Sequence, residues 1–182
     1  MKRRTGQMAH ALRIGAALLL FAASSFARAE EARCAAISWA IAPRYESAWD
    51  FADNGLAAVA ANGKWGYVDE QGREVVPLRY DTVANFFFGD LAPVEADGKW
   101  GYVDAQGKEI VPPRHDGAGH FRRGMANVMK GEKWGYIDKK GEEVIPICFE
   151  RIQELNANGL TAAKKDGKWG FVRVPPSSLS ES

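Results

Sequence analysis

Apolar residues in this chain fall in short alternating runs that are separated by glycine-containing turns. In the clearest stretch the turns are Asp97-Gly98 and Gln106-Gly107, where glycine supplies the positive φ that tight turns require. A period of two between such turns is typical of antiparallel hairpins. We therefore predict a unit of three strands, the third of which ends at Pro112 because proline has no amide hydrogen to donate. The strands are predicted at 91–95, 99–104 and 108–111.

A motif that spans the second and third predicted strands occurs four times along the chain. It reads GKWGYVDEQGREVVP at 63–77, GKWGYVDAQGKEIVP at 98–112, GEKWGYIDKKGEEVIP at 131–146 and, shortened, GKWGFVRVP at 167–175. The tryptophans are 35, 34 and 35 residues apart, and the four pairs are Trp65-Gly66, Trp100-Gly101, Trp134-Gly135 and Trp169-Gly170. A period of this size indicates stacked supersecondary units. We predict units at 42–76, 77–111, 112–145 and 146–174.

The turn spacing also decides the class of repeat. Helical repeats of similar length need two uninterrupted helices of about a dozen residues each, and no unit has room for them. We therefore predict an all-β array of four three-stranded antiparallel units, open and twisted. The alternative is a closed, propeller-like ring. Three strands per unit fall short of the four in a propeller blade, and four units are at the low end for closure, so the open array is favoured.

The two ends of the array bear on this choice. Residues 37–41 stand at the offset of a third strand, so 30–41 is predicted to hold an N-terminal capping strand, whereas the fourth unit stops at Val174 without one. In a closed ring the first strand would complete the last unit and bring Cys34 towards Cys148. In an open array the two cysteines lie at opposite ends. We therefore predict that they form no disulfide.

Strand periodicity also predicts which side chains are buried. In the first strand of a unit, Ala92 and Val94 share one face, and Glu95 places the other face in water. In the second strand, Trp100 and Tyr102 lie two apart and share a face. The glycine beside each tryptophan leaves space for a neighbouring ring or backbone. We predict that the four tryptophans pack as core between units, in preference to forming a glycan-stacking surface.

The repeated motif resembles that of bacterial WG-repeat proteins. Their unit reads close to G-K-W-G-[YF]-[VI]-D-x-x-G-x-E-[VI]-[VI]-P, followed by a Tyr-Asp pair, a Phe and G-L-A-x-V. Residues 42–174 match this pattern, and 63–69 carry its most specific part. The chain departs from it in repeat 3, where Glu132-Lys133 follows Gly131. It also departs in repeat 4, where Arg173 stands in place of the family's Asp and no third strand follows. The resemblance implies a β-repeat fold of variable copy number, often exported, and implies no general catalytic activity.

Residues 1–29 have the layout of a secretory signal peptide. A basic start at 2–4 precedes a clean apolar stretch at 14–26, and the small residues Ala27 and Ala29 suit a cleavage site. A membrane anchor is the alternative, but a helix needs roughly 20 apolar residues to cross a bilayer. We expect cleavage after Ala29 and therefore a periplasmic or secreted protein.

Charge narrows the possible partners. Removal of 1–29 takes away five of the 24 basic residues and none of the 23 acidic ones, which leaves a formal net charge of −4. This balance argues against nucleic acid and against anionic membranes, because both are bound mainly through concentrated positive charge. We expect one repeat domain with no membrane insertion after signal cleavage. The Pro- and Ser-rich residues 175–182 are predicted to be a disordered tail.

The recurring polar residues do not predict a catalytic or metal site. Calcium needs six or more oxygens, whereas each D-x-x-G turn offers one carboxylate, so the aspartates are expected to bond turn amides. These aspartates are Asp69, Asp104 and Asp138. His115 and His120 lack a third zinc ligand, and no serine or cysteine beside them completes a triad. We expect no metal, no cofactor and no enzymatic activity.

The glutamate of each motif is predicted to be an exposed strand residue that pairs with the motif lysine on the neighbouring strand. The expected pairs are Glu74 with Lys64, Glu109 with Lys99, and Glu143 with Lys133.

A partner-specific surface is expected where the repeats differ, because the shared positions serve stacking. Phe87 and Phe88 extend the aromatic position of unit two. The matching loop of unit three contains His120, Arg122 and Arg123. Aromatic and Arg side chains are enriched at binding hot spots, so these five residues are the candidate partner-binding site. The alternative without a binding role is that one Phe fills a local gap and the arginines are solvated.

Two classes of function follow from the sequence. The first is an exported, non-enzymatic repeat scaffold that binds a protein or cell-envelope partner, since stacked repeats present an extended surface. The second is a carbohydrate- or peptidoglycan-binding module, or an accessory subunit of an envelope enzyme, in which a row of aromatics contacts glycan.

The first test concerns the leader. We expect the exported protein to begin at Glu30, because the small residues Ala27 and Ala29 occupy the third and first positions before that bond. Intact-mass measurement of the protein recovered from the periplasm or medium checks this. A protein that retains the apolar stretch at 14–26 would contradict it.

Overall fold

The computed structural model of the chain describes residues 38–84 and 91–175. Residue contacts divide the protein into two units, Met1–Ala40 and Ile41–Ser182, and every described strand lies in the second. The described residues form fifteen strands and no helix. The predictions made for 1–37 and 176–182, which include the signal peptide and Cys34, lie outside the described residues. The same holds for 85–90.

The strands form four sheets, one for each repeat. Sheet 1 consists of β1 (Ser47–Ala48), β2 (Leu56–Ala61), β3 (Lys64–Asp69) and β4 (Glu74–Tyr80). Sheet 2 consists of β5 (Thr82–Val83), β6 (Leu91–Ala96), β7 (Lys99–Asp104) and β8 (Glu109–His115). Sheet 3 consists of β9 (Gly117–Ala118), β10 (Met125–Lys130), β11 (Lys133–Asp138) and β12 (Glu143–Phe149). Sheet 4 consists of β13 (Arg151–Ile152), β14 (Leu160–Lys165) and β15 (Lys168–Arg173).

All strand pairs are antiparallel and join sequence neighbours, so each sheet is a meander. The predicted all-β array of four antiparallel units is confirmed. Within the described residues the sheets do not close into a barrel or propeller, which favours the open array over the ring. The predicted number of strands was too low, because sheets 1 to 3 have four strands and only sheet 4 has three. The additional strand has two residues, too few to show alternation.

The prolines do not end the last strand of each sheet, contrary to prediction. Pro77 lies inside β4, and its counterparts Pro112 and Pro146 lie inside β8 and β12. The register of β3 with β4 shifts at this point: Tyr67 pairs with Val76, whereas Trp65 pairs with Tyr80. Three residues of β4 therefore lie opposite one residue of β3. A proline is accommodated in this bulge because no regular ladder bond is required of it.

The bulge explains the glycine of each Trp-Gly pair. A Cβ atom on Gly66 would lie 2.4 Å from the carbonyl oxygen of Val76, and one on Gly101 would lie 2.4 Å from that of Val111. Gly135 has the same close approach, to Ile145 at 2.5 Å. Gly170 has nothing within 4 Å, since sheet 4 has no fourth strand among the described residues.

The hydrophobic cores lie between successive sheets. Tyr67 of sheet 1 packs in one core with Ala92, Val94 and Val103 of sheet 2. A second core joins sheets 2 and 3, and a third joins sheets 3 and 4. Both faces of an inner sheet are therefore buried. The prediction that one face of the first strand meets water was wrong in repeat 1, where Ala58 is fully buried.

The tyrosine of the motif, and not the tryptophan, is the main core residue. Its exposed fraction is 0% at Tyr67 and Tyr102 and 4% at Tyr136. The tryptophans of the first three repeats are half-buried, and Trp169 is 53% exposed. The predicted tryptophan core is confirmed in part at Trp65, which packs against the core between sheets 1 and 2, and is wrong at Trp169. Tryptophan lies one residue pair from the hairpin turn, whereas tyrosine lies in mid-strand.

The predicted N-terminal capping strand is not present in its described part. Residues 38–41 belong to no strand, and the first strand begins at Ser47. Cys148 is a half-buried free cysteine in β12, and its predicted lack of a bond to Cys34 is untested because Cys34 lies outside the described residues.

Two glycine substitutions test the close approach of the bulged strand. Gly101→Ala is expected to lower the free energy of unfolding by about 2 kcal/mol or more, because the new methyl group meets backbone that belongs to a neighbouring strand. Gly170→Ala, the same change in repeat 4, is expected to alter it by less than about 0.5 kcal/mol. Urea denaturation followed by circular dichroism measures both. Equal effects at the two sites would contradict the proposed role of the bulge.

Candidate partner-binding edge

A tyrosine hydroxyl from each repeat holds the loop of the next repeat. Tyr102 donates to the carbonyl oxygen of Gly119 at 2.8 Å, and Tyr136 donates to that of Gln153 at 2.7 Å. Tyr67 donates in the same way to Ala84. Burial raises the pKa of all three tyrosines, so each hydroxyl remains protonated and able to donate.

Because the three acceptors are equivalent, the loops that follow them begin at the same edge of successive sheets. We call residues 119–124 and 153–159 the loop edge. It belongs to repeats 3 and 4, and the corresponding loop of repeat 2 falls within 85–90.

The structure brings three of the five predicted site residues to the loop edge. His120 and Arg122 line a cavity of about 240 Å³ with Tyr136, Glu154 and Leu155. Nη1 of Arg122 lies 3.4 Å from Oε2 of Glu154. Arg123 donates from Nη1 to the carbonyl oxygen of Leu155 at 3.3 Å. The basic residues therefore tie two neighbouring loops together and are more than solvated charges.

The aromatic half of the predicted site, Phe87 and Phe88, lies outside the described residues. Its position beside the basic loop therefore stays a prediction.

The two histidines lie in different cavities. His120 is at the loop edge, and its pKa is lowered by partial burial and by Arg122. His115 is buried in β8, and desolvation, followed by the charges of Arg114 and Lys130, lowers its pKa. Among the described residues, no group of three His, Cys, Asp or Glu side chains is placed to hold a metal ion.

The motif aspartates bond turn amides, as predicted. The Oδ1 atom of Asp69 accepts hydrogen bonds from the amides of Gln71 at 3.0 Å and Arg73 at 2.9 Å. Asp104 and Asp138 accept equivalent bonds in their own turns. These carboxylates therefore close the turn between the second and third long strands.

The predicted pairing of motif lysines with motif glutamates was wrong for the pairs that the structure resolves. Lys64 pairs instead with Asp81, and its hydrogen bond is the main reason that the pKa of that aspartate is lowered. Lys99 pairs with Asp116 in the same way. The bulge shifts the following residues so that the first acidic residue of the next repeat reaches the lysine. Glu109 pairs with Arg79 at 3.1 Å.

A second cavity lies between the tryptophans of repeats 3 and 4. It has a volume of about 510 Å³ and is bordered by Trp134 and Trp169 together with Glu150, Arg151 and Gln153. Indole rings with a carboxylate, a guanidinium and an amide can stack on a sugar ring and hydrogen-bond its hydroxyls.

Comparison with known families gives a match that extends over most of the described chain. A profile described as "WG containing repeat" matches four consecutive segments, 38–65, 65–100, 100–134 and 134–169. The chain belongs to the WG-repeat family. No curated protein matches it. None of the described residues belongs to a helix with the length and apolar character of a membrane span.

Sequence reasoning missed two contacts that join one WG repeat to the next. The first is the tyrosine hydroxyl bond, and the second is the pair between the motif lysine and the following acidic residue. A signal for the second was present, since Tyr80-Asp81, His115-Asp116 and Phe149-Glu150 stand at one offset. An acidic residue repeated at a fixed distance from a repeated lysine can indicate contact between repeats.

His115 is expected to make the stability of this WG-repeat protein depend on pH. Its lowered pKa means that the unfolded chain binds more protons, so stability falls as the pH is lowered through the unfolded value of about 6.5. His115→Phe, which introduces the residue found at the equivalent Phe149, is expected to flatten this dependence. His120 contributes a residual slope of the same sign.

Thermal melting of the parent and the His115→Phe protein between pH 5 and 7.5 measures the difference. Parallel curves for the two proteins would contradict the assignment to His115.

Proposed function

We propose that this WG-repeat chain is an exported, non-enzymatic scaffold that binds a protein partner of the cell envelope through its loop edge. The observation that carries the proposal is the groove formed by His120, Arg122, Glu154 and Leu155 across two repeats. The strand positions are occupied in stacking one sheet on the next, whereas the loops differ from repeat to repeat. Loops on one face of a repeat array often form its binding face.

The groove favours a partner with a carboxylate beside an apolar side chain. The side chain of Arg122 is 48% exposed beside Glu154, so an incoming carboxylate can reach its guanidinium. Leu155 is half-buried beneath it and offers an apolar contact. The aromatic side chains of Phe87 and Phe88, if they extend this groove, would add the anchors that protein hot spots contain.

Crosslinked capture from the native envelope tests the proposal. The Arg122→Glu/Arg123→Glu protein is expected to lose the partner retained by the parent, because both cationic donors are replaced by carboxylates. The matched control is Lys108→Glu/Lys140→Glu, which makes the same change in charge at exposed turns. Capture that is unaffected by the loop substitutions would contradict a binding role for these arginines, and Phe87→Ser/Phe88→Ser tests the aromatic half separately.

A glycan-binding module is the second candidate, and the cavity between Trp134 and Trp169 favours it. Trp169→Ala is expected to abolish co-sedimentation with peptidoglycan and any change in tryptophan fluorescence on addition of its oligosaccharides. The arginine variant of the loop edge should behave as the parent in this assay. The two candidates are therefore separated by which substitution removes binding.

A further inference from the structure

The last sheet has one face that no other sheet covers within the described residues. Phe171 occupies the motif position of the three buried tyrosines, yet it is 82% exposed. Tyr67, Tyr102 and Tyr136 each pack against the following sheet, and their exposure does not exceed 4%. The exposed face of sheet 4 is thus the face onto which a next repeat packs elsewhere in the chain.

The first sheet has the complementary face. Ala57, Val59 and Val68 occupy the positions of the residues in sheet 2 that receive Tyr67. All three are at most 3% exposed, and the space left at this end is a cavity of about 220 Å³ that Tyr45 and Trp49 also border. An apolar socket at one end of the array therefore matches an exposed aromatic side chain at the other.

The chain also begins with a segment that matches the fourth strand of a sheet. Residues 39–45 read WAIAPRY, against EVVPLRY in β4 and EIVPPRH in β8. The part from Ile41 onward already contacts the repeat after it as a fourth strand does. Arg44 donates from Nη2 to the carbonyl oxygen of Gly72, as Arg114 does to that of Gly141 at 2.8 Å.

The N-terminal segment has no Trp-Gly strand to pair with among the described residues. A fourth strand pairs with the strand that carries the Trp-Gly motif, but 41–45 pairs with no such strand among the described residues. Glu46 donates its amide to the carbonyl oxygen of Ala60 in β2, as Asp81 does to that of Glu95 in the next sheet. Conversely, β15 carries the Trp-Gly motif and has no fourth strand beside it among the described residues. Each end of the array therefore holds half of one strand pair.

The charged residues at the two ends of the array are also complementary. Lys168 is the motif lysine of repeat 4, equivalent to Lys64, which pairs with Asp81. Glu46 is equivalent to Asp81. Its carboxylate accepts hydrogen bonds from the amides of Asn62 at 3.0 Å and Gly63 at 3.2 Å, just as the carboxylate of Asp81 accepts one from the amide of Asp97. Neither Lys168 nor Glu46 makes an ion pair in the described part of the chain. The two unpaired charges have opposite sign.

We propose that a second copy of this chain binds head to tail, so that sheet 4 of one copy packs on sheet 1 of the next. Residues 39–45 of the second copy complete the sheet of the first. The register of β3 with β4 places Phe171 opposite Ile41 and Trp169 opposite Tyr45. Lys168 then pairs with Glu46, and Phe171 enters the socket. A heterologous contact of this kind leaves each copy with a free end, so association continues into linear chains or closed rings.

Sedimentation velocity over a range of protein concentration tests the association. The parent protein is expected to form species larger than a monomer, and Phe171→Asp is expected to weaken their formation by about tenfold or more. Phe171→Tyr is the matched control, because it restores the residue of the other repeats and should preserve association. Since Phe171 is exposed, the Asp variant should fold, which circular dichroism verifies. A parent protein that stays monomeric at every concentration, or an Asp variant that associates equally well, would overturn the proposal.

Crosslinking tests the orientation. Lys168→Cys and Glu46→Cys are made in separate proteins that carry Cys34→Ser and Cys148→Ser, and the two are mixed with a short bismaleimide. A mixed dimer is expected, whereas Lys168→Cys mixed with Lys108→Cys should give none. Closure of a single chain into a ring cannot link two separate proteins, so failure to form the mixed dimer would overturn the head-to-tail contact. Predominant linkage of Lys168→Cys to itself would also overturn it, since that outcome indicates symmetric pairing.

Discussion

The structure depends on burial of both faces of every inner sheet. One repeat cannot bury its apolar faces alone, and here each face of an inner sheet is completed by a neighbouring repeat. The buried tyrosine is the centre of this arrangement, because its ring enters the core of the next sheet and its hydroxyl fixes the next loop. The bulged strand then passes over the glycine of the Trp-Gly pair at a distance that leaves no room for a side chain. The repeated motif therefore meets two packing requirements. Its glycine leaves space for the bulged strand of the same sheet, and its tyrosine ring fills the core between two sheets.

Local chemistry made part of the fold predictable. The second strand was predicted at 99–104 and is observed at Lys99–Asp104, because the turns on both sides of it are marked by glycine. The predicted hydrogen bonds from turn amides to the motif aspartates were confirmed because they too form within a single turn. What failed depended on contacts beyond the local turns, either with another strand of the same sheet or with a neighbouring repeat. Pro112 reads as a strand terminator until the bulge that accommodates it is known, and burial of Ala58 cannot be inferred from alternation when both faces are covered.

The candidate site was predictable only in part. His120 and Arg122 do line one cavity, but the sequence did not indicate that Arg122 pairs with Glu154 of the next repeat. That contact joins residues 32 positions apart and depends on the stacking distance between loops. The arginines of this edge therefore have a structural part to play as well as a proposed binding role. Substitutions there change the relation of two repeats in addition to the surface charge.

The contacts between repeats join immediate neighbours: tyrosine to the next loop, lysine to the next acidic residue, and one sheet face to the next. An interface of this kind does not depend on how many repeats precede or follow it. Duplication or loss of one whole repeat would therefore keep these kinds of contact between the remaining neighbours, whereas loss of part of a repeat would expose two unmatched faces. The unit that gene duplication can copy without disturbing the fold is consequently the span from one Trp-Gly pair to the next, and array length is open to evolutionary change in steps of about 35 residues.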